Sequence, residues 1–218
     1  DGSSYGVFAR VFDEAGMPLG PEFQVNTYAK GPQYGADVAA AGDGRFVVVW
    51  SGPGQDGDST GVLGRLFDPW GTPLGPEFLV NTYTTSRQAL PAVAMNAAGA
   101  FVVAWQSLYQ DGSDRGIFAQ RFAPDATPVG PELAVNTFTT SFQRSSSVAV
   151  DGAGGFVVAW HSYGQDGDNR GIFARRYDPA GTPFGPEFQV NTFTTGPQYG
   201  PSVAMDTLGG FVVTWDSF

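Results

Sequence analysis

Cysteine is absent from the 218 residues. Its absence excludes disulfide staples, thiolate-ligated zinc and a cysteine nucleophile. Histidine is nearly absent as well, with His161 the only one, so there is little imidazole chemistry to draw on. Lys and Arg total 11 against 21 Asp and Glu, a net charge of −10, and no basic run occurs. An acidic chain without a basic stripe is not built to neutralise phosphates, so no nucleic-acid or anionic-membrane partner is expected. No apolar run approaches the ~18 residues of a spanning helix and no secretory signal pattern is visible, so no membrane insertion is expected. A chain that starts at Asp1 without Met reads as a processed or trimmed piece. Helical apolar periodicity with caps is missing throughout. What is plentiful is glycine (31), proline (16) and aromatic residues (14%), the mix of a turn-rich β protein.

The sequence is also repetitive. Trp50, Trp105, Trp160 and Trp215 recur at a spacing of 55, as do Asn26, Asn81, Asn136 and Asn191, and Glu22, Glu77, Glu132 and Glu187. Of the 53 residues 166–218, 32 are identical to the residue 55 positions earlier. The chain is therefore one domain of four copies, 1–55, 56–110, 111–165 and 166–218. Each copy reads as four strands, A to D. In the last copy SVAMD (202–206) and FVVTW (211–215) are A and B, and GIFARRY (171–177) and EFQVN (187–191) are C and D. The unbroken apolar run of FVVTW suits a strand buried on both faces. Asp178-Pro179-Ala180-Gly181 carries type I turn preferences, and Asp206-Thr207-Leu208-Gly209 suits a tight hairpin.

Four-stranded units repeating every 40–55 residues point to the blades of a β-propeller. The phase of the repeat carries a further expectation. The chain opens on strands C and D (6–12 and 22–26) and closes on A and B. A four-bladed ring closed by a split blade from the two termini follows, because such a blade ties the ends and removes open edges. Ala39, Ala94, Ala149 and Ala204 supply small residues near the axis. A fragment of a larger ring, or two chains pairing into eight blades, are the alternatives.

In this scheme the long B–C and D–A loops share a face, where a binding surface is expected. The B–C loops carry Asp56 and Asp58, Asp111 and Asp114, and Asp166 and Asp168, with Asp1-Gly2-Ser3-Ser4 as the same loop cut open. Carboxylates separated by glycine either wrap a hard cation such as Ca²⁺ or form Asx turns with their own backbone. The D–A loops carry Asn26, Gln33 and Tyr34; Asn81, Arg87 and Gln88; Asn136, Gln143 and Arg144; and Asn191, Gln198 and Tyr199. Their amides and rings either meet sugar hydroxyls and faces or bridge neighbouring blades. The Trp residues read as inter-blade packing, the Glu22 series as solvated edge charges, and Arg10, Arg65 and Arg175 as stacking or pairing with a neighbouring blade's carboxylate. His161 reads as surface variation, since Ser51, Gln106 and Asp216 hold its place elsewhere. No nucleophile elbow, zinc helix or phosphate loop is present, and near-identical repeats suit multivalent binding better than one catalytic centre, so no enzyme is expected.

The runs VNT…Q…SVAMD…GGFVVTWDS and QDG…GIFARRYD…GTPFGPEFQ resemble a repeat found in tandem in large secreted or surface proteins of bacteria, and all four copies share it. The resemblance implies an extracellular or cell-surface setting, an adhesion-like or carbohydrate-contacting role, and calcium as a candidate cofactor. It carries no catalytic residues. The ring geometry is similar to hemopexin-type four-bladed propellers, although the cysteines that tie those rings are missing here. The expected function is a non-catalytic module that contacts glycans or a surface polymer. The alternative is a structural spacer or self-assembly unit without a small ligand.

Overall fold

The computed structural model describes residues 4–218, and Asp1, Gly2 and Ser3 of the cut loop lie outside the described residues. A two-stranded sheet comes first, β1 (Phe8–Ala9) with β2 (Phe23–Gln24). Three four-stranded sheets follow. They are β3 (Tyr34–Ala40) to β6 (Phe78–Leu79) through β4 (Phe46–Pro53) and β5 (Thr60–Phe67); β7 (Gln88–Met95) to β10 (Leu133–Ala134) through β8 (Phe101–Leu108) and β9 (Arg115–Phe122); and β11 (Gln143–Val150) to β14 (Phe188–Gln189) through β12 (Phe156–Tyr163) and β13 (Arg170–Tyr177). A last pair, β15 (Gln198–Met205) with β16 (Phe211–Ser217), ends the chain. All pairings are antiparallel between successive strands, and no helix occurs among the described residues.

The apolar B strands are the buried spines of the blades. Trp50, Trp105 and Trp160 are fully enclosed, and each sheet packs its face on the next. Within each complete blade the first aromatic of B stacks on the last of C: Phe46 on Phe67 at 5.1 Å, Phe101 on Phe122 at 4.9 Å, and Phe156 on Tyr177 at 4.6 Å. Each enclosed aromatic side chain buries roughly 150–250 Å², a gross gain of about 4–6 kcal/mol before entropy is counted.

The turns follow the sequence. Gly181 N–H donates to Asp178 O at 2.9 Å and Gly209 N–H to Asp206 O at 3.2 Å, with both glycines at positive φ. Strand D is shorter than EFQVN suggests. After Val190 N–H bonds Ile172 O, the next donor, Ile172 N–H, is taken by the Asn191 side chain at 2.7 Å, and the ladder stops there. Strand A starts earlier than expected, with a bulge after its first two residues, as between Arg144 and Ser147.

The four-bladed ring closed by a split blade does not form. The β1–β2 and β15–β16 pairs remain separate sheets. The chain therefore occupies five successive blade positions, a half, three wholes and a half, with β3, β7, β11 and β15 packed in series. Strand order and pairing follow from the repeat. The angular step from blade to blade is set by side-chain packing across each interface, and alanines near the axis permit a tight step without imposing it.

Candidate functional site

The long loops of each blade are stitched together by the residues that recur in them. Asn26, Asn81, Asn136 and Asn191 are buried, and each side chain accepts a hydrogen bond from strand C and donates another within its own loop. Asn136 shows the pattern, with Ile117 N–H donating to its Oδ1 at 2.6 Å and its Nδ2 donating to Phe138 O at 3.0 Å. Gln33, Gln88, Gln143 and Gln198 are buried too. Gln88 Nε2 donates to Thr85 O at 2.9 Å, and Gln33 Oε1 accepts from the Trp50 indole at 3.2 Å. These eight amides are buried in the loops, and Asn136 and Asn191 also donate to Gln143 at 3.4 Å and Gln198 at 3.2 Å at the start of the next blade position, so part of the set bridges neighbouring blades.

The B–C carboxylates are likewise committed to the loops. Asp56, Asp111 and Asp166 each accept a backbone N–H two residues on, at 3.2, 3.1 and 3.3 Å, as Asx turns. Asp58 accepts from Ser86 N–H at 2.7 Å and Asp168 from Gly196 N–H at 2.8 Å, joining the B–C loop to the D–A loop. Asp114 pairs with Arg115 at 2.8 Å. No group of three carboxylate or imidazole side chains converges among the described residues. This donor set does not fit Ca²⁺, which takes six to eight oxygens.

The Glu22 series also has a different role from the one expected. Glu132 accepts from Thr82 N–H at 2.8 Å and Thr82 Oγ1 at 3.0 Å, and the Gln110 side chain donates to it as well. Glu77 holds Thr27 of the preceding blade in the same way, and Glu187 accepts from the N–H groups of Thr137 and Phe138. Burial opposes ionisation of Glu77, but bonds from Thr27, Gln55 and Tyr28 outweigh it and lower its pKa. Arg65 and Arg175 donate to backbone carbonyls of the preceding blade, Val25 O at 2.9 Å and Val135 O at 3.0 Å, and not to a carboxylate.

One cleft on the loop face is cationic. Arg87, Arg115, Arg144 and Arg170 converge with His161, Gln106, Leu90 and Ser145 on a cleft of about 390 Å³. Four of the chain's ten arginines thus meet in one place. Aromatic rings hold three of them, and Arg115 pairs with Asp114. Arg144 lies 4.2 Å over Phe142, Arg170 lies 4.6 Å over Tyr199, and Arg87 donates to the Tyr34 hydroxyl at 2.9 Å. Arg144 and His161 are cross-strand partners, and Arg115 bridges to Phe142. Burial first, and Arg170 and Arg144 next, push the His161 pKa down to about 4. Burial and the like charge of Arg115 lower that of Arg144.

The A-strand bulges shape this cleft. Leu90 (φ 56°) and Ser145 (φ 55°) hold the left-handed conformation that Gly35 and Gly200 take in the other copies. A side chain there costs about 1–2 kcal/mol. Of the ligand residues expected from sequence, the structure brings Arg87 and Arg144 to the cleft and places Tyr34 behind the Arg87 guanidinium and Tyr199 behind that of Arg170. Arg115, Arg170 and His161 were missed as site residues. Pairing the starts of strands A and C across strand B would have found them.

No family model and no curated protein sequence matches the chain. Its architecture does match solved structures. An endo-arabinase from Bacteroides thetaiotaomicron is 18% identical with a TM-score of 0.54, covering 89% of this chain and 71% of that one. An α-L-arabinanase from Penicillium chrysogenum bound to arabinobiose is 14% identical with a TM-score of 0.58, covering 88% and 63%. A thermostable family-43 glycoside hydrolase is 11% identical with a TM-score of 0.52, covering 87% and 67%. At these identities the likeness concerns the fold alone: the chain is a β-propeller similar to the five-bladed propellers of family-43 arabinanases.

Proposed function

We propose that this protein is a non-catalytic binding module for anionic glycans or other acidic polymers, working at an extracellular or cell surface. The observation that carries the reading is the convergence of Arg87, Arg115, Arg144 and Arg170 in a protein of net charge −10. Like charges gathered at the ends of rigid strands, with Asp114 as the one bridged counter-ion, repel one another until an anion enters. Guanidinium groups present paired donors that match carboxylate and sulfate oxygens. The cleft lining holds no carboxylate, whereas glycoside hydrolysis ordinarily calls for two.

The test is calorimetric titration with a sulfated glycan, a polyuronate and a neutral arabinan. The acidic polymers bind and the arabinan does not, and affinity falls as salt is raised. Arg144→Ala with Arg170→Ala weakens binding tenfold or more. The sulfated polymer stays charged, so it also isolates the His161 effect. His161 is neutral in the free protein above about pH 4, and protonation adds a fifth positive charge facing Arg144, Arg170 and Tyr199. Affinity rises as pH falls from 6 towards 4, and His161→Gln flattens that rise. Equal binding of the neutral arabinan, or indifference to both arginine substitutions, refutes the reading.

A further inference from the structure

The cationic cleft is lined twice by the same three positions of the repeat. Leu90, Gln106 and Arg115 come from one blade, and Ser145, His161 and Arg170 lie 55 residues on in the next. In each set the first residue sits on the bulge of strand A, the second towards the end of strand B and the third at the start of strand C. The blade before them shows the same positions closed. There they are Gly35, Ser51 and Thr60, none of them a cation, and Ser51 Oγ accepts the Leu90 N–H of the following blade at 2.9 Å.

The longer side chains that replace Ser51 are left open. Gln106 and His161 line the cleft at 7% exposure each, and Gln106 Oε1 and His161 Nδ1 have no hydrogen-bond partner among the described residues. A buried polar atom ordinarily has one. Gln106 Oε1 can only accept, and an ionised acid group held on guanidinium groups has no hydrogen to give it. The last torsion of a glutamine is broad, so the amide can turn its oxygen to a donor entering the cleft. A ligand that suits both the arginines and this acceptor carries a hydroxyl beside its acid group.

The two sets are not equally charged. Asp114 pairs with Arg115 at 2.8 Å, whereas the residue 55 places on, beside Arg170, is Asn169. Arg144 adds a second guanidinium across from His161, where the earlier blade has Ala89 across from Gln106. Arg170 also stacks on two rings, Phe142 at 5.4 Å and Tyr199 at 4.6 Å. The set on β11–β13 is therefore the stronger for an anion and the set on β7–β9 the weaker. At about 390 Å³ the cleft lies near the small end of ligand pockets, with room for a short stretch of chain.

Resting on the reading of this cleft as an anion site, we infer that it holds two repeated subsites for a linear acidic polysaccharide, one unit of the polymer on Arg170 and His161 and a neighbouring unit on Arg115 and Gln106. Two like subsites in series match a ligand that is itself a repeat. A sugar ring carries its acid group and its hydroxyls on one rigid unit, so acceptor and donor arrive together with little left to order. An acidic peptide holds its carboxylates on flexible side chains remote from its N–H groups and loses more freedom on binding. Filling the second subsite is then an intramolecular event, governed by effective concentration.

The test is calorimetric titration with galacturonate and its linear dimer, trimer and tetramer, with a sulfated oligosaccharide series alongside to tell carboxylate from sulfate. In the series that binds, affinity rises about tenfold or more from the monomer to the longer oligomers. Arg115→Gln flattens that rise, so that the tetramer binds no more than about threefold better than the monomer, whereas Arg170→Gln weakens both about fivefold or more. Asp114→Asn gives the weaker subsite the neighbour that Arg170 has and strengthens the tetramer about twofold or more, which keeps the test decisive should Arg115→Gln fail to fold. Gln106→Leu weakens the tetramer about threefold more than it weakens inorganic sulfate. A monomer bound as tightly as the tetramer, or a length dependence untouched by Arg115→Gln and Asp114→Asn, overturns the two subsites while the anion reading stands. Polyglutamate bound as tightly as the tetramer overturns the polysaccharide. Absence of binding by sulfate and by every acid in both series overturns the inference together with the reading it rests on.

Discussion

Asn136 satisfies two backbone groups that would otherwise be buried without partners, the N–H of Ile117 and the carbonyl of Phe138. Asn136→Ala leaves both unpaired at a site that is 5% exposed, and the expected cost is about 1–3 kcal/mol, read as a fall in urea midpoint at constant slope. Anion affinity at the cleft is expected to hold, because the side chain does not line it. This is the scale at which the sequence was hardest to read. A recurring amide looks the same whether it caps a strand or meets a ligand, and what separates the two is burial, which appears only once strand C is laid against the loop. His161 was misread for a related reason. Its counterparts Ser51 and Gln106 are buried polar residues as well, so variation in residue type at that place did not signal exposure.

At the level of elements, the Glu–Thr latches join one blade to the next through charge as well as packing. Burial raises the Glu77 pKa and the bonds from Thr27, Gln55 and Tyr28 lower it, with a net lowering. A carboxyl with a depressed folded pKa contributes stability above its unfolded value near 4.5, and that contribution is lost as pH falls through the folded value. Glu77→Gln is therefore expected to destabilise the chain at pH 7, by roughly 1 kcal/mol given the half-exposed setting. The gap to the parent narrows as pH is lowered below 4.5, and denaturant titrations at pH 7 and in acid check both. Turn positions and the identity of strands A to C were legible, because Asp-x-x-Gly turns and the FVV-W runs are local signals. The latch was not, since Glu77 finds Thr27 at a separation of 50 residues. No pattern within one repeat shows which neighbour it touches.

For the molecule as a whole, the repeat arithmetic pointed to a propeller, and the structure has that fold in five positions instead of a closed four. The β1–β2 and β15–β16 pairs stay separate sheets because the blade-to-blade step is a property of the interfaces, and these are spread over Val, Phe and Trp contacts from sheets far apart in sequence. Stability is correspondingly uneven. The middle sheets are covered on both faces, whereas β3 and β16 each leave one side open. Amide exchange is expected to be slowest in β8 and β12 and faster in β16, with Trp215 the first of the strand-B tryptophans to respond to denaturant. Uniform protection across β8, β12 and β16 would contradict this. The sameness of the interfaces has one more consequence. Because successive blades meet through equivalent small apolar positions, and three of these interfaces carry the same Glu–Thr latch, an in-frame excision of 55 consecutive residues between two equivalent points joins surfaces that already resemble each other. The protein is in this sense a short polymer of one structural monomer, and its length is a variable that recombination can change without inventing a contact.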